Sequence, residues 1–265
     1  MTSVKTHVSW FDHVMAIPLA AYLIVVVSLV VAIFISITGP SLKEAFSETA
    51  VIRAVWLSLS TSLASTSLSI LIAVPAGYIL SRHNFPGKTL FDTVLDLPIV
   101  LPPLVMGLSV LIFFNTVPGR FIENIMEFVY TWRGIILVQF IVGCAFCVRV
   151  IKAAFDGMNY EYENVAMILG AARAQTFFKV TLPLARQGIV AGAVIGWARI
   201  FGLFGPILLV SGTMRNRTEI MPTTIFLETS IGRIEVALVI ATLMIMISLS
   251  TLVLFRLLGG KGYMW

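Results

Sequence analysis

Arg199 is a strong base in the middle of a long apolar run. A charge at that depth of a membrane costs about 2.5–3.5 kcal/mol on insertion scales, so such a base faces the interior, water or an acid. Two uses stand open: contact with a ligand or water, or holding two helices together. Cys144 and Cys147 have the C-A-F-C spacing of a redox pair. They also lie inside an apolar run, where small residues on one helix face serve packing, and packing is the preferred reading. His7, His13 and His83 are scattered near the ends of apolar runs, without metal-ligand spacing. The hydroxyls of the run Ser58–Ser67 have no acid or histidine placed to activate them. Hydrogen bonding within and between helices is their expected use. No phosphate-cradling G-x-x-x-x-G-K-[ST] loop occurs. The chain therefore offers no catalytic or metal site and no cofactor of its own.

Composition places these residues in a bilayer. Of 265 residues, 58% are hydrophobic and 12% charged, against roughly 45–50% and 25% in soluble domains. Two cysteines exclude the disulfide framework of a small secreted domain. The net charge of +5 comes with no basic stripe interleaved with aromatics, so no nucleic-acid partner is expected. The amino terminus lacks the pattern of a cleaved signal peptide, and its first apolar run is expected to stay attached as a helix.

Runs near the ~20 residues that cross the hydrocarbon predict an all-α, polytopic membrane protein, a single domain over residues 1–265. Its six spans are expected at about Val14–Ile37, Ala54–Leu80, Leu95–Phe114, Gly134–Ile151, Gly188–Ser211 and Ile234–Leu258. An even number of spans puts both termini on one side. Placing them in the cytoplasm gives a small excess of Lys and Arg inside, in agreement with the positive-inside rule.

The third span opens with Asp96-Leu97-Pro98-Ile99-Val100-Leu101-Pro102-Pro103 and continues to Gly107. Its prolines forbid a regular helix, and irregular backbone at membrane depth survives only when shielded by protein or facing a water-filled cavity. Pro98, Pro102, Pro103 and Gly107 are therefore candidates for lining a pathway, with a kinked packing helix as the alternative.

Residues 157–183 form a polar-framed loop between the fourth and fifth spans. Gly157 can end the fourth span, Asn159 suits an N-cap, and Glu161 and Glu163 favour the positive end of the helix that follows. That helix runs to Gly170. Val165, Ile168 and Leu169 recur on it at helical spacing as an apolar ridge, beside the small Ala166, Gly170 and Ala171. Pro183 fits the first turn of the next helix. A ridge of this kind is a docking surface for a groove.

Gly170, followed after a fixed interval by Val180, Leu182 and Pro183, resembles the cytoplasmic coupling loop, or EAA loop, of ABC-importer membrane subunits. The Glu-Ala-Ala triplet of that pattern reads Asn164-Val165-Ala166, and Glu163 lies one position early. The prolines from Pro98 to Pro103, with Gly196-Trp197-Ala198-Arg199 in the fifth span, are similar to the molybdate, tungstate and sulfate branch of these permeases. So are the stretches Arg217–Ile225 and Leu227–Ser230. Where that branch carries a Gly-Glu-Phe-Gly after its Ala-Arg, this chain has Gly202-Leu203-Phe204-Gly205, so the glutamate is Leu203.

The resemblance implies a permease subunit in a prokaryotic inner or plasma membrane, working as a pair, commonly a homodimer. ATPase subunits that bind ATP and Mg would dock below, and an extracytoplasmic substrate-binding protein would deliver oxyanion above. It assigns ATPase coupling to Glu163, Asn164, Val165, Ala166, Gly170, Ala171, Arg173, Leu182 and Pro183. The pathway candidates Pro98, Pro102, Pro103 and Gly107, read from their irregular backbone, would then line the translocation route together with Arg199, unless Arg199 is structural. Arg215 and Arg217 would face the binding protein or solvent.

Overall fold

In the computed structural model residues 10–258 are described, with side chains for all but 11–13 and 255–258. Lys5, His7 and Lys261 lie outside the described residues, as do the side chains of His13 and Arg256. Among the described residues every regular element is helical: α1 Trp10–Ile35, α2 Gly39–Ser47, α3 Thr49–Arg82, α4 Lys88–Val100, α5 Pro103–Asn115, α6 Val117–Ile125 and α7 Trp132–Asp156. Then come α8 Glu161–Ile168, α9 Arg173–Thr176, a π-helical turn Phe177–Thr181, α10 Leu182–Phe201, α11 Gly205–Ser211, α12 Met221–Ser230 and α13 Ile234–Leu258.

Helix α7 is central, with α3 and α10 packed along it. The α7–α10 approach is set by a glycine stripe at i, i+4 and i+8. A Cβ on Gly188 would stand 2.1 Å from Ala154 Cβ, one on Gly192 2.7 Å from Ile151 Cγ1, and one on Gly196 2.3 Å from Cys147 Sγ. Small residues let helix backbones come close where apolar burial gives no driving force between helices. Cys147 is a fully buried packing residue in that stripe, and both cysteines are free thiols.

Helix α3 is tied to its neighbours by its hydroxyls. Ser65 Oγ donates to Gln139 Oε1 on α7 at 3.1 Å. Ser62 Oγ accepts from Trp197 Nε1 on α10 at 3.1 Å, and Ser58 Oγ accepts from the Met221 backbone N–H of α12 at 2.7 Å. Within the apolar stretch Val14–Ile35 of α1, by contrast, no residue is buried.

Two expected spans are broken. The third is a pair of helices, α4 and α5, bent by 110°. Leu101, extended as the residue before a proline tends to be, and Pro102 make the corner, and Pro103 opens α5. The fifth was expected as one continuous run, Gly188–Ser211. It begins earlier, at Leu182, and stops at Phe201, after which Gly202-Leu203-Phe204 leave the helix and α11 starts afresh. Pro206, in the first turn of α11, has no N–H to carry the earlier ladder onward.

Candidate functional site

The loop between α7 and α10 is built as a two-faced helix. Asn159 Oδ1 accepts the Glu161 N–H at 3.0 Å and starts α8. At the other end Gly170 adopts φ +91°, a left-handed conformation open to glycine. This lets Gly170 N–H reach Met167 O and Ala171 N–H reach Ala166 O, both at 3.0 Å, the paired closure of a glycine-terminated helix.

The outward face carries Val165, 54% exposed, with Ile168 and Leu169 at 83% and 82%. Three apolar side chains so bare on one short helix want a partner surface. The inward face carries Glu163, buried, where the coupling-loop pattern led one to expect it beside the docking residues at the surface. Its Oε1 accepts from Arg82 Nε at 2.8 Å, the side chains being 8% and 3% exposed. Tyr78 Oη donates to its Oε2 at 3.2 Å. Asn164 and Ala166 are half-buried, as are Ala171 and Leu182, whereas Arg173 and Pro183 are exposed.

Pro183 falls in the first turn of α10, as expected, though α10 follows directly on the π turn. It lies within a helical stretch running from Arg173 to Phe201, just past the π turn. Its missing N–H relieves the ladder there, which is where a wider turn is tolerated. Between the end of α3, α8 and this stretch lies a cavity of about 480 Å³, lined by Tyr78, Arg82, His83, Glu163, Arg173 and Phe178 among others.

The two breaks in the membrane region meet. A Cβ on Gly107 of α5 would stand 2.6 Å from Pro206 Cα of α11, and Gly205 lies against Leu104. Gly107 is buried and serves as this contact, Pro98 is half-buried in α4, and Pro102 and Pro103 are exposed at the corner. Leu203 is buried among Ile135, Val138, Val142, Ile207, Val210 and Ile220. Arg199, less than one turn before the second break, is exposed. Its guanidinium carbon stands 5.2 Å from the Phe146 ring centroid, and it forms no ion pair among the described residues.

Sequence reading missed two charge clusters. Arg149 of α7 clasps Asp96 of α4 through Nε and Nη2, and its Nη1 donates to Asp92 Oδ1 at 3.2 Å. The signal was the i, i+4 spacing of Asp92 and Asp96. At the end of the bundle away from α8, Arg233 pairs with Glu44 at 2.7 Å, with Glu228 at 3.2 Å and with Glu48. Arg215 pairs with Glu48 and, at 3.0 Å, with Glu228, so it is engaged within the chain. Arg217 stays exposed.

The hydrogen bond from Arg233 holds the Glu48 carboxyl below its ordinary value, and Glu48 and Glu44 push Arg233 up. Glu219 is 2% exposed, and burial pushes its carboxyl up against the weaker opposing pull of Arg215. It lines a cavity of about 330 Å³ with Arg53, Ser60, Asn216 and Arg217.

Among the described residues the chain is thus an all-helical bundle with five or six candidate membrane spans and an exposed apolar ridge on one loop. Residues 69–261 match the family of binding-protein-dependent transport system inner membrane components, and the chain belongs to it. It is an ABC-importer permease subunit, a translocation component rather than an enzyme. Among curated relatives, the molybdenum transport permease ModB of Escherichia coli K12 is 34% identical over 180 residues, covering 64% of this chain and 78% of its own. The molybdate/tungstate permease WtpB of Pyrococcus abyssi is 33% identical over 196 residues, covering 73% and 75%. The sulfate permease CysW of E. coli K12 is 32% identical over 177 residues, covering 66% and 61%. Among solved structures, a bacterial ABC transporter that imports the polysaccharide alginate shares the fold, with a TM-score of 0.77 over 96% of both chains at 19% identity.

Proposed function

We propose that the chain forms the translocation pathway of an ATP-driven importer of tetrahedral oxyanions, molybdate or tungstate. In this reading two copies pair in the membrane with termini and α8 in the cytoplasm, ATPase subunits grip α8, and a binding protein delivers the anion at the opposite end. The observation that carries the coupling is the bare ridge of Val165, Ile168 and Leu169. A helix of eight residues gains nothing by exposing three large apolar side chains unless a groove covers them.

The substrate class rests on the relatives that transport molybdate and tungstate and on Arg199, a base that forms no ion pair among the described residues. ATP binding would draw two α8 helices together and open the pathway outward, and hydrolysis would reset it. Each state is selected by differential contacts. Sulfate is the second reading, favoured by relatives of comparable identity. Titration of the cognate binding protein with molybdate, tungstate and sulfate, followed by uptake into proteoliposomes holding the assembled transporter, separates these. Binding and uptake of none of the three would refute the oxyanion assignment.

A further inference from the structure

Glu163 faces away from any docking partner. Both its oxygens are engaged from within the chain, by Arg82 at 2.8 Å and Tyr78 at 3.2 Å, and its side chain is 3% exposed. Removing one partner of a buried ion pair leaves an uncompensated charge, which makes such a pair a stiff link. Arg82 also stands over the Tyr160 ring at 5.5 Å and donates to Met158 O at 3.5 Å. One guanidinium thus joins the last turn of α3 to the segment that starts α8. The Tyr78 ring packs against Phe177 and Phe155, with centroids 4.8 and 5.7 Å apart, which brings the π turn and α7 into the same body.

From that end α3 runs for 34 residues, about 50 Å at 1.5 Å per residue. Along the way Ser62 engages Trp197 on α10, five residues before the break at Gly202, and Ser58 engages the first residue of α12.

We propose that Glu163 is a positioning residue: through Arg82 and Tyr78 it fuses α8 to α3, so that displacement of the docking helix is carried along α3 to α10 and α12. This rests on the reading of α8 as the ATPase dock, and it separates two tasks on one helix. The ridge of Val165, Ile168 and Leu169 holds the partner, and Glu163 passes the motion inward. A carboxylate engaged through both oxygens inside the chain, with its side chain 3% exposed, is shielded from a partner's base.

The test uses the complete transporter, with its ATPase and binding protein, in proteoliposomes. The readouts are ATPase retained on the permease, hydrolysis stimulated by loaded binding protein, and anion taken up per ATP. Glu163→Gln and Tyr78→Phe are expected to retain the ATPase while uptake per ATP falls, about tenfold for Glu163→Gln and less for Tyr78→Phe. The exchange Glu163→Arg with Arg82→Glu is expected to recover a substantial part of what either single change loses. Ile168→Asp is expected to lose the ATPase itself.

Full coupling in Glu163→Gln would overturn the proposal, as would loss of the ATPase from that variant, which would make Glu163 a docking contact. An assembled exchange variant with no recovery would also overturn it. If the exchange variant does not assemble, Glu163→Gln and Tyr78→Phe decide. Failure of the unaltered chain to retain any ATPase would instead refute the docking reading, and this proposal with it.

Discussion

Gly107→Ala adds one methyl group where α5 crosses α11. The new Cβ would stand 2.6 Å from Pro206 Cα and 3.0 Å from Pro206 O, whereas carbon atoms attract best at about 3.5–4.0 Å. Both atoms it meets are backbone, and Pro206 is fixed in the first turn of α11, so no side chain can swing aside. The helices must part by about 1 Å, and overpacking of this kind costs about 1–3 kcal/mol. At about 2–4 °C per kcal/mol for a chain of this length, melting should fall by roughly 2–12 °C. Gly39→Ala is the control, because its Cβ would meet nothing within 4 Å. Fluorescence-detected melting of the purified transporter reads the difference. A Gly107→Ala variant that melts with the unaltered protein would refute the packing account, and would return Gly107 to the role of open pathway lining.

Arg199→Gln should lower anion uptake while assembly and melting stay near those of the unaltered protein. An exposed contact with Phe146 contributes only about 0.5–1 kcal/mol, so early melting, or normal uptake, would each contradict this. Gly170→Ala places a side chain at φ +91°, a strain of roughly 1–2 kcal/mol. It should weaken stimulation of ATP hydrolysis by loaded binding protein, and full stimulation would count against the left-handed closure of α8. Glu219, whose carboxyl burial raises, holds a proton more tightly folded than unfolded, so it opposes folding increasingly as pH climbs above the ordinary carboxylate value of about 4.3. Glu219→Gln should therefore melt higher than the unaltered protein at neutral pH, with the gain fading toward pH ~4; a gain that does not change with pH would be the contrary result. Glu48, held low by Arg233, stabilises fully at and above the ordinary carboxylate value and loses its effect only as pH falls below that value, in both proteins alike, so the comparison isolates Glu219.

Membrane residence in a bundle of five or six helical spans was written in the one-dimensional pattern, because crossing a bilayer demands apolar runs of a set length wherever the neighbours lie. A break in the third span was legible too, since proline removes a donor whatever packs against it, but its place was not: Pro98 lies inside α4 and the corner falls at Leu101-Pro102. The turn at Gly170 and the ridge of Val165, Ile168 and Leu169 follow from helical period alone.

The break at Gly202 was less legible. Gly202, Gly205 and Pro206 are all visible in sequence, but Leu203 and Phe204 between them are apolar enough to extend a span. Only the core around Leu203 shows that the backbone leaves the helix there. The direction of Glu163 was also beyond reach of the sequence. Its spacing puts it on α8, but whether it meets a partner or the chain's own Arg82 depends on where the end of α3 stands, 81 positions earlier. The same holds for Arg215 with Glu48 and for Arg149 with Asp96. The i, i+4 spacing of Asp92 and Asp96 marks one side of the second pair, but neither spacing nor period names the distant partner, since what selects it is desolvation at a contact that exists only once the helices have packed.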